Sequence, residues 1–120
     1  ENVILKGRVT DMNKYYSKAA IYVMTSRIEG LPMTLLEAKS YKIPIVSFDI
    51  MTGPSEIVKN NVNGYLIENF NLSEMKEKIL DLINNNNLRK DFSNNTLINF
   101  EEFSYSSVMD KWIELISCFK

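Results

Sequence analysis

Short apolar runs rich in β-branched and aromatic residues alternate with helix-forming segments along the first two thirds of the chain. The runs are "VIL" at 3–5, "AIYVM" at 20–24, "IPIVSF" at 43–48 and "YLI" at 65–67. Runs of this length and composition are typical of buried strands. The segments between them, at 11–19, 32–42 and 53–59, carry helix signals. Because such alternation builds parallel sheets, the pattern predicts an α/β fold, a Rossmann-like parallel sheet with helices on both faces.

Three more helices are predicted after the fourth strand, at 73–83, 88–98 and 103–119. Residues 84–87, all asparagine, are predicted to form a polar link between the first two. In the last helix apolar residues recur on one side, and we expect Trp112 and its neighbours to pack on the sheet.

Composition excludes several classes of function. The chain has 120 residues, of which 45% are hydrophobic and 24% charged, as expected for one domain or part of one. A net charge of −1 gives no basis for binding nucleic acid through phosphate neutralisation. The chain has no histidine, and its single cysteine, Cys118, excludes an internal disulfide and a cysteine zinc cluster. These features favour a reducing, cytoplasmic setting.

The chain opens on "ENVILKG", which reads as a strand and lacks an initiator methionine. We therefore expect residues 1–120 to be a single partial domain of a longer protein. No apolar run reaches the length that spans a bilayer.

Two loops that follow predicted strands carry polar and glycine residues. They are "TSRIEGLP" at 25–32 and "DIMTGPSE" at 49–56. Right-handed crossovers place both loops at the same edge of a parallel sheet, where α/β proteins bind ligands.

The first loop has the chemistry of an anion site. Gly30 lets the backbone approach a ligand, and the free amides of the following helical turn favour a phosphate. Glu29 on the loop and Glu37 about one turn into the helix are positioned to accept hydrogen bonds from sugar and ribose hydroxyls. The alternative is structural, because acidic residues are common near helix N-termini and Gly-Pro begins many helices. Cys118, Tyr15 and Tyr16 are interpreted as packing residues.

Four blocks in order resemble a known family. "SRIEGLPMTLLEAKSYKIPIV" is similar to the signature of the retaining glycosyltransferases of family 4, which have the two-domain GT-B architecture. "KGRV" precedes it, and "GPSEIV" and "NGYLI" follow it, as in that family. The resemblance covers residues 3–83 and implies the C-terminal part of the nucleotide-sugar-binding domain.

The resemblance implies transfer of a sugar from a nucleotide-sugar, often a UDP-sugar, to a glycan or lipid-linked acceptor with retention of configuration. It implies no metal and no other cofactor, because basic residues and helix dipoles hold the diphosphate. Acceptor binding would belong to an N-terminal domain that this sequence lacks. Where acceptors are lipid-linked, the whole protein is expected to associate peripherally with the inner face of the membrane.

The resemblance also assigns site residues. Glu29 would contact the donor sugar and stabilise positive charge in the transition state, as the catalytic residue. Glu37 would hold the ribose hydroxyls. The remaining donor-binding residues would be Ser26, Arg27, Gly30, Leu31, Pro32, Met33, Thr34 and Gly53.

One departure from the family pattern concerns packing. Lys42 stands near the usual place of a glycine that ends a helix in the left-handed conformation. The Arg and Lys that neutralise the diphosphate in the family would lie upstream of this sequence, so the chain alone is predicted to have no transferase activity. Two other interpretations remain: a non-catalytic α/β nucleotide-binding or regulatory module, and a relic whose site no longer works.

Overall fold

The computed structural model describes residues 2–119. Helices and strands alternate as far as residue 68, and only helices follow in the rest of the described chain. The elements are α1 (Asn13–Tyr16), β1 (Tyr22–Met24), α2 (Met33–Ser40), β2 (Ile45–Asp49), α3 (Pro54–Ile57), β3 (Gly64–Glu68), α4 (Leu72–Asn84), α5 (Asn86–Asn95), a 3-10 helix (Phe100–Phe103) and α6 (Tyr105–Ser117).

The three strands form one parallel sheet in the order β1-β2-β3. Tyr22 pairs with Ile45, and Ile45 pairs with Gly64, so each strand lies beside the next one along the chain. The helix between each pair of strands makes the crossover that parallel pairing requires. The predicted Rossmann-like α/β fold is therefore confirmed.

Helices cover both faces of this sheet. Ile45 belongs to a buried cluster with residues of α1, α2 and α3. The next residue, Val46, belongs to a second cluster with residues of α4 and α5. Because successive side chains of a strand point to opposite faces, the two clusters lie on opposite sides of β2.

The predicted first strand is wrong. Residues 3–5 form no strand in the described part of the chain, and the side chains of Val3, Ile4 and Leu5 are 76%, 68% and 94% exposed. A strand requires a hydrogen-bonded neighbour, and the part of the chain that is described provides none for this segment.

The predicted packing of the last helix on the sheet is also wrong. None of the residues of α6, all of which the structure describes, is buried, and Trp112 is 55% exposed. Both faces of the sheet are already covered, one by α1 to α3 and the 3-10 helix, the other by α4 and α5. The apolar side of α6 consequently has no sheet surface to cover.

Three helix boundaries have local causes. Helix α2 begins at Met33 because Pro32, in an extended conformation, is its N-cap. Lys42 adopts the left-handed conformation after α2, with φ 57°, which a glycine would take without steric cost. The predicted link at 84–87 shrinks to Asn85, whose side chain caps α5 by accepting a hydrogen bond from the amide of Leu88.

No helix within residues 2–119 is long and apolar enough to cross a membrane.

Candidate functional site

The loops that follow β1, β2 and β3 leave the same edge of the sheet, because the strands are parallel. The first runs from residue 25 to Pro32, the N-cap of α2, and the second from residue 50 to Gly53, the N-cap of α3. All ten site residues predicted from the sequence lie on these two loops or on α2.

The first two loops are in direct contact. The hydroxyl of Thr52 donates a hydrogen bond of 2.6 Å to the carbonyl oxygen of Glu29. Gly53 has a φ of +98°, and a Cβ at this position would lie 2.6 Å from the carbonyl oxygen of Gly30 and would also collide with the ring of Pro32. Only glycine allows this approach. Gly53 therefore joins the two predicted ligand loops.

The beginning of α2 presents free amides to this edge. The amide of Leu35 donates to the carbonyl oxygen of Pro32 at 3.0 Å. Met33 and Thr34 occupy the first two helical positions, where amides have no acceptor within the helix. Both residues are exposed. Together with the helix dipole, these donors form a place for an anionic group.

Glu37 lies one turn further along α2 and contacts a different element. The hydroxyl of Tyr16 on α1 donates a hydrogen bond of 2.9 Å to its Oε2 atom. A cavity of about 380 Å³ lies beside this pair and is lined by residues 10–13, Tyr16, Glu37 and Tyr41. Burial, and then the hydrogen bond to Glu37, raise the pKa of Tyr16, so its hydroxyl stays protonated at neutral pH.

Tyr16 is a packing residue, as the sequence predicts, because it is buried with 5% exposure. The sequence did not indicate its hydrogen bond to Glu37, because the two residues are 21 positions apart. One general signal was available: a buried tyrosine hydroxyl normally finds a partner.

Arg27 is held by a residue that the sequence did not indicate. Its guanidinium carbon lies 5.4 Å from the centroid of the Phe70 ring, a cation–π distance. Phe70 follows β3, is left-handed with φ 66°, and lies 6.1 Å from the ring of Phe48. The loop after β3 therefore also contributes to this edge. Ser26, beside Arg27, is half-buried.

The structure thus brings Glu29, Gly30, Pro32 and Gly53 together, and it places Glu37 nearby against α1. The side chain of Glu29 is half-buried and that of Leu31 is exposed. No group of three or more His, Cys, Asp or Glu side chains positioned to hold a metal ion occurs among residues 2–119.

The family profile described as "Glycosyl transferases group 1" matches residues 1–97. The poly(ribitol-phosphate) alpha-N-acetylglucosaminyltransferase of Staphylococcus aureus (strain COL) is 41% identical over 117 residues, which are 97% of this chain and 24% of that protein. The amylovoran biosynthesis glycosyltransferase AmsD of Erwinia amylovora is 34% identical over 106 residues, which are 88% of this chain and 30% of that protein.

A crystal structure of a point mutant of S. aureus TarM in complex with Fondaparinux, alpha-GlcNAc-glycerol and UDP superimposes with a TM-score of 0.88 at 42% identity. The superposition covers 95% of this chain and 23% of TarM. The chain thus spans a quarter to a third of the length of these relatives. With a matching family profile, a matching fold and the loops of the sheet edge in contact, the chain belongs to the glycosyl transferases group 1, as a C-terminal domain of the GT-B architecture.

Proposed function

We propose that the chain is the donor-binding part of a retaining glycosyltransferase of family 4. In the whole protein, it would hold a nucleotide-sugar, with UDP as the nucleotide, while a sugar passes to a glycan or lipid-linked acceptor. The relatives of this chain are glycosyltransferases, and TarM was crystallised with UDP. The single observation that carries the proposal is the packing of Gly53 against Gly30 and Pro32, which builds one ligand edge from two loops.

The proposed binding mode follows from this edge. The diphosphate lies at the beginning of α2, where the amides of Met33 and Thr34 are free and the helix dipole favours negative charge. Gly30 and Leu31 line the path from the diphosphate to the sugar, next to Glu29. The diphosphate charge is balanced by amides and by basic residues, with no metal ion or other cofactor.

The two glutamates have different proposed roles. Glu29 accepts hydrogen bonds from the donor sugar and stabilises the positive charge that develops on it, so its carboxylate acts mainly in the transition state. Glu37, beside the cavity of about 380 Å³, accepts from the ribose hydroxyls. Ser26 and Arg27 lie near the base or the sugar.

The rest of the transfer machinery is proposed to lie outside this chain. A separate N-terminal domain would bind the acceptor, and the peripheral association with a membrane would belong mainly to it. Residues 1–120 would then form a partial domain that binds nucleotide weakly and transfers no sugar by itself.

The first experiment is an NMR titration of the chain with UDP and GDP at millimolar concentration, following backbone amides. We expect shifts at residues 26–37 and 53–56 that are larger for UDP. In the full-length protein, Glu29→Gln should lower kcat by about 100-fold or more, and Glu37→Gln should raise the donor KM by about 10-fold or more. Glu77→Gln, on the exposed side of α4, is the matched control.

Each outcome separates the interpretations. Binding without any transfer by the full-length protein would favour a non-catalytic nucleotide-binding module. Loss of kcat in Glu37→Gln rather than in Glu29→Gln would exchange the two roles. Turnover by the isolated chain would refute the proposed division of labour.

A further inference from the structure

The hydrogen bond between Tyr16 and Glu37 joins two elements that meet only through tertiary packing. Tyr16 ends α1, and Glu37 lies in the middle of α2. The distance of 2.9 Å from the phenol oxygen to Oε2 is normal for a good hydrogen bond. Since the donor hydroxyl belongs to a side chain that is only 5% exposed, the donor is fixed in space.

The position of the Tyr16 ring is determined by its aromatic neighbours. The Tyr41 ring stacks on it with centroids 5.4 Å apart, and the Tyr22 ring lies at 6.0 Å. The hydroxyl of Tyr41 in turn donates to Oδ1 of Asn13, at the beginning of α1. The phenol that meets Glu37 therefore has little freedom to rotate away.

The Glu37 side chain is exposed, so packing restricts its rotamers only weakly. No ion pair to Glu37 forms among the residues that the structure describes. A free glutamate on a helix surface samples several rotamers. The tyrosine donor selects the rotamers that keep Oε2 within reach of α1, and in this position Glu37 lines the cavity of about 380 Å³.

We propose that Tyr16 is a positioning residue for nucleotide recognition, because its hydroxyl orients the Glu37 carboxylate toward the ribose. This inference rests on the proposed function. It adds a residue outside the two ligand loops, and it makes the recognition of ribose hydroxyls depend on α1.

The test compares a nucleoside diphosphate with its 2′,3′-dideoxy analogue, which lacks both hydroxyls assigned to Glu37, in the full-length protein, using UDP or GDP, whichever binds more tightly. Wild type should prefer the ribonucleotide by about tenfold or more, the effect of at least one hydrogen bond to a charged group. Tyr16→Phe should weaken binding of the ribonucleotide by about fivefold and leave binding of the dideoxy analogue within about twofold, because ordering a side chain is worth ~1 kcal/mol. Tyr15→Phe is the matched control, since Tyr15 lies outside the cavity.

A double-mutant cycle separates positioning from a structural effect. In a Glu37→Ala background, Tyr16→Phe should have no further effect on affinity, because the group that it orients is gone. The melting temperature of each variant reports any loss of packing.

The outcomes distinguish this inference from the proposed function. Equal weakening of both nucleotides by Tyr16→Phe, no weakening, or an effect that persists in Glu37→Ala would overturn the positioning role alone. If wild type binds both nucleotides equally, or binds neither UDP nor GDP, the proposed role of Glu37 fails and this inference fails with it.

Discussion

Replacing Gly53 with alanine should separate the two ligand loops. The residue has a φ of +98°, and the new Cβ would lie 2.6 Å from the carbonyl oxygen of Gly30. The backbone strain costs about 1–3 kcal/mol. Forcing a methyl group into occupied space costs about 1–3 kcal/mol more. We therefore expect the free energy of unfolding to fall by about 2–6 kcal/mol, a large fraction of the ~5–15 kcal/mol typical of a domain.

Two other glycines allow the backbone strain and the steric clash to be measured separately. Gly7 has a φ of +63°, and no atom lies within 4 Å of the place that an alanine methyl group would take, so Gly7→Ala should show strain alone, about 1 kcal/mol. Gly30 has neither a positive φ nor a neighbour within 4 Å, so Gly30→Ala should change stability by less than about 0.5 kcal/mol.

The stability of all three variants is measured by thermal and urea unfolding, with far-UV circular dichroism as the signal. A loss of about 2 kcal/mol or more in Gly53→Ala corresponds to a fall of roughly 8 °C or more in Tm. The chemical shifts of residues 29–32 should also change in this variant. If Gly53→Ala unfolds like wild type and leaves those shifts unchanged, the loops do not depend on this contact, and the reasoning is refuted.

The remaining predictions concern a buried cation and a helix cap. The ammonium of Lys39 is buried and donates to the carbonyl oxygens of Ile57 and Ile98 at 2.9 and 3.2 Å. The pKa of Lys39 is lowered, and burial is the largest cause of this shift. At pH values between that lowered pKa and the ordinary value near 10.4, the unfolded chain binds more protons than the folded chain. The free energy of unfolding therefore increases as the pH rises through this range. The free energy of unfolding, measured from about pH 7 to pH 10.5, should increase in wild type relative to Lys39→Met. A difference between the two proteins that stays constant over this range would contradict the prediction. Asn71 caps α4 by accepting from the amide of Glu74, so Asn71→Ala should cost about 1 kcal/mol in urea unfolding, whereas Asn71→Asp should keep the cap.

Local pattern was sufficient for most of the elements. The strand runs at 20–24, 43–48 and 65–67 each overlap an observed strand, because short β-branched runs suit a doubly covered sheet. The same pattern failed at 3–5, where apolar composition is present but a pairing strand is not found among the described residues. A strand is a property of two segments, and one segment alone does not decide it.

The candidate site also has contacts that the sequence predicts and contacts that it does not. Parallel connections predict that the loops at 25–32 and 49–56 share an edge, and the bond from Thr52 to Glu29 confirms it. The sequence contained no sign that Phe70 would lie beneath Arg27, because that contact depends on how the loop after β3 turns.

The sequence by itself determined the alternation of strands and helices, the edge where the ligand loops meet, and the residue types available there. These follow from short-range rules: periodicity, turn chemistry and the handedness of crossovers. The tertiary structure alone decided that Gly53 must be glycine, that Tyr16 reaches Glu37 and that α6 stays off the sheet. Each of these depends on the separation of atoms that are distant along the chain, which only the packed fold sets.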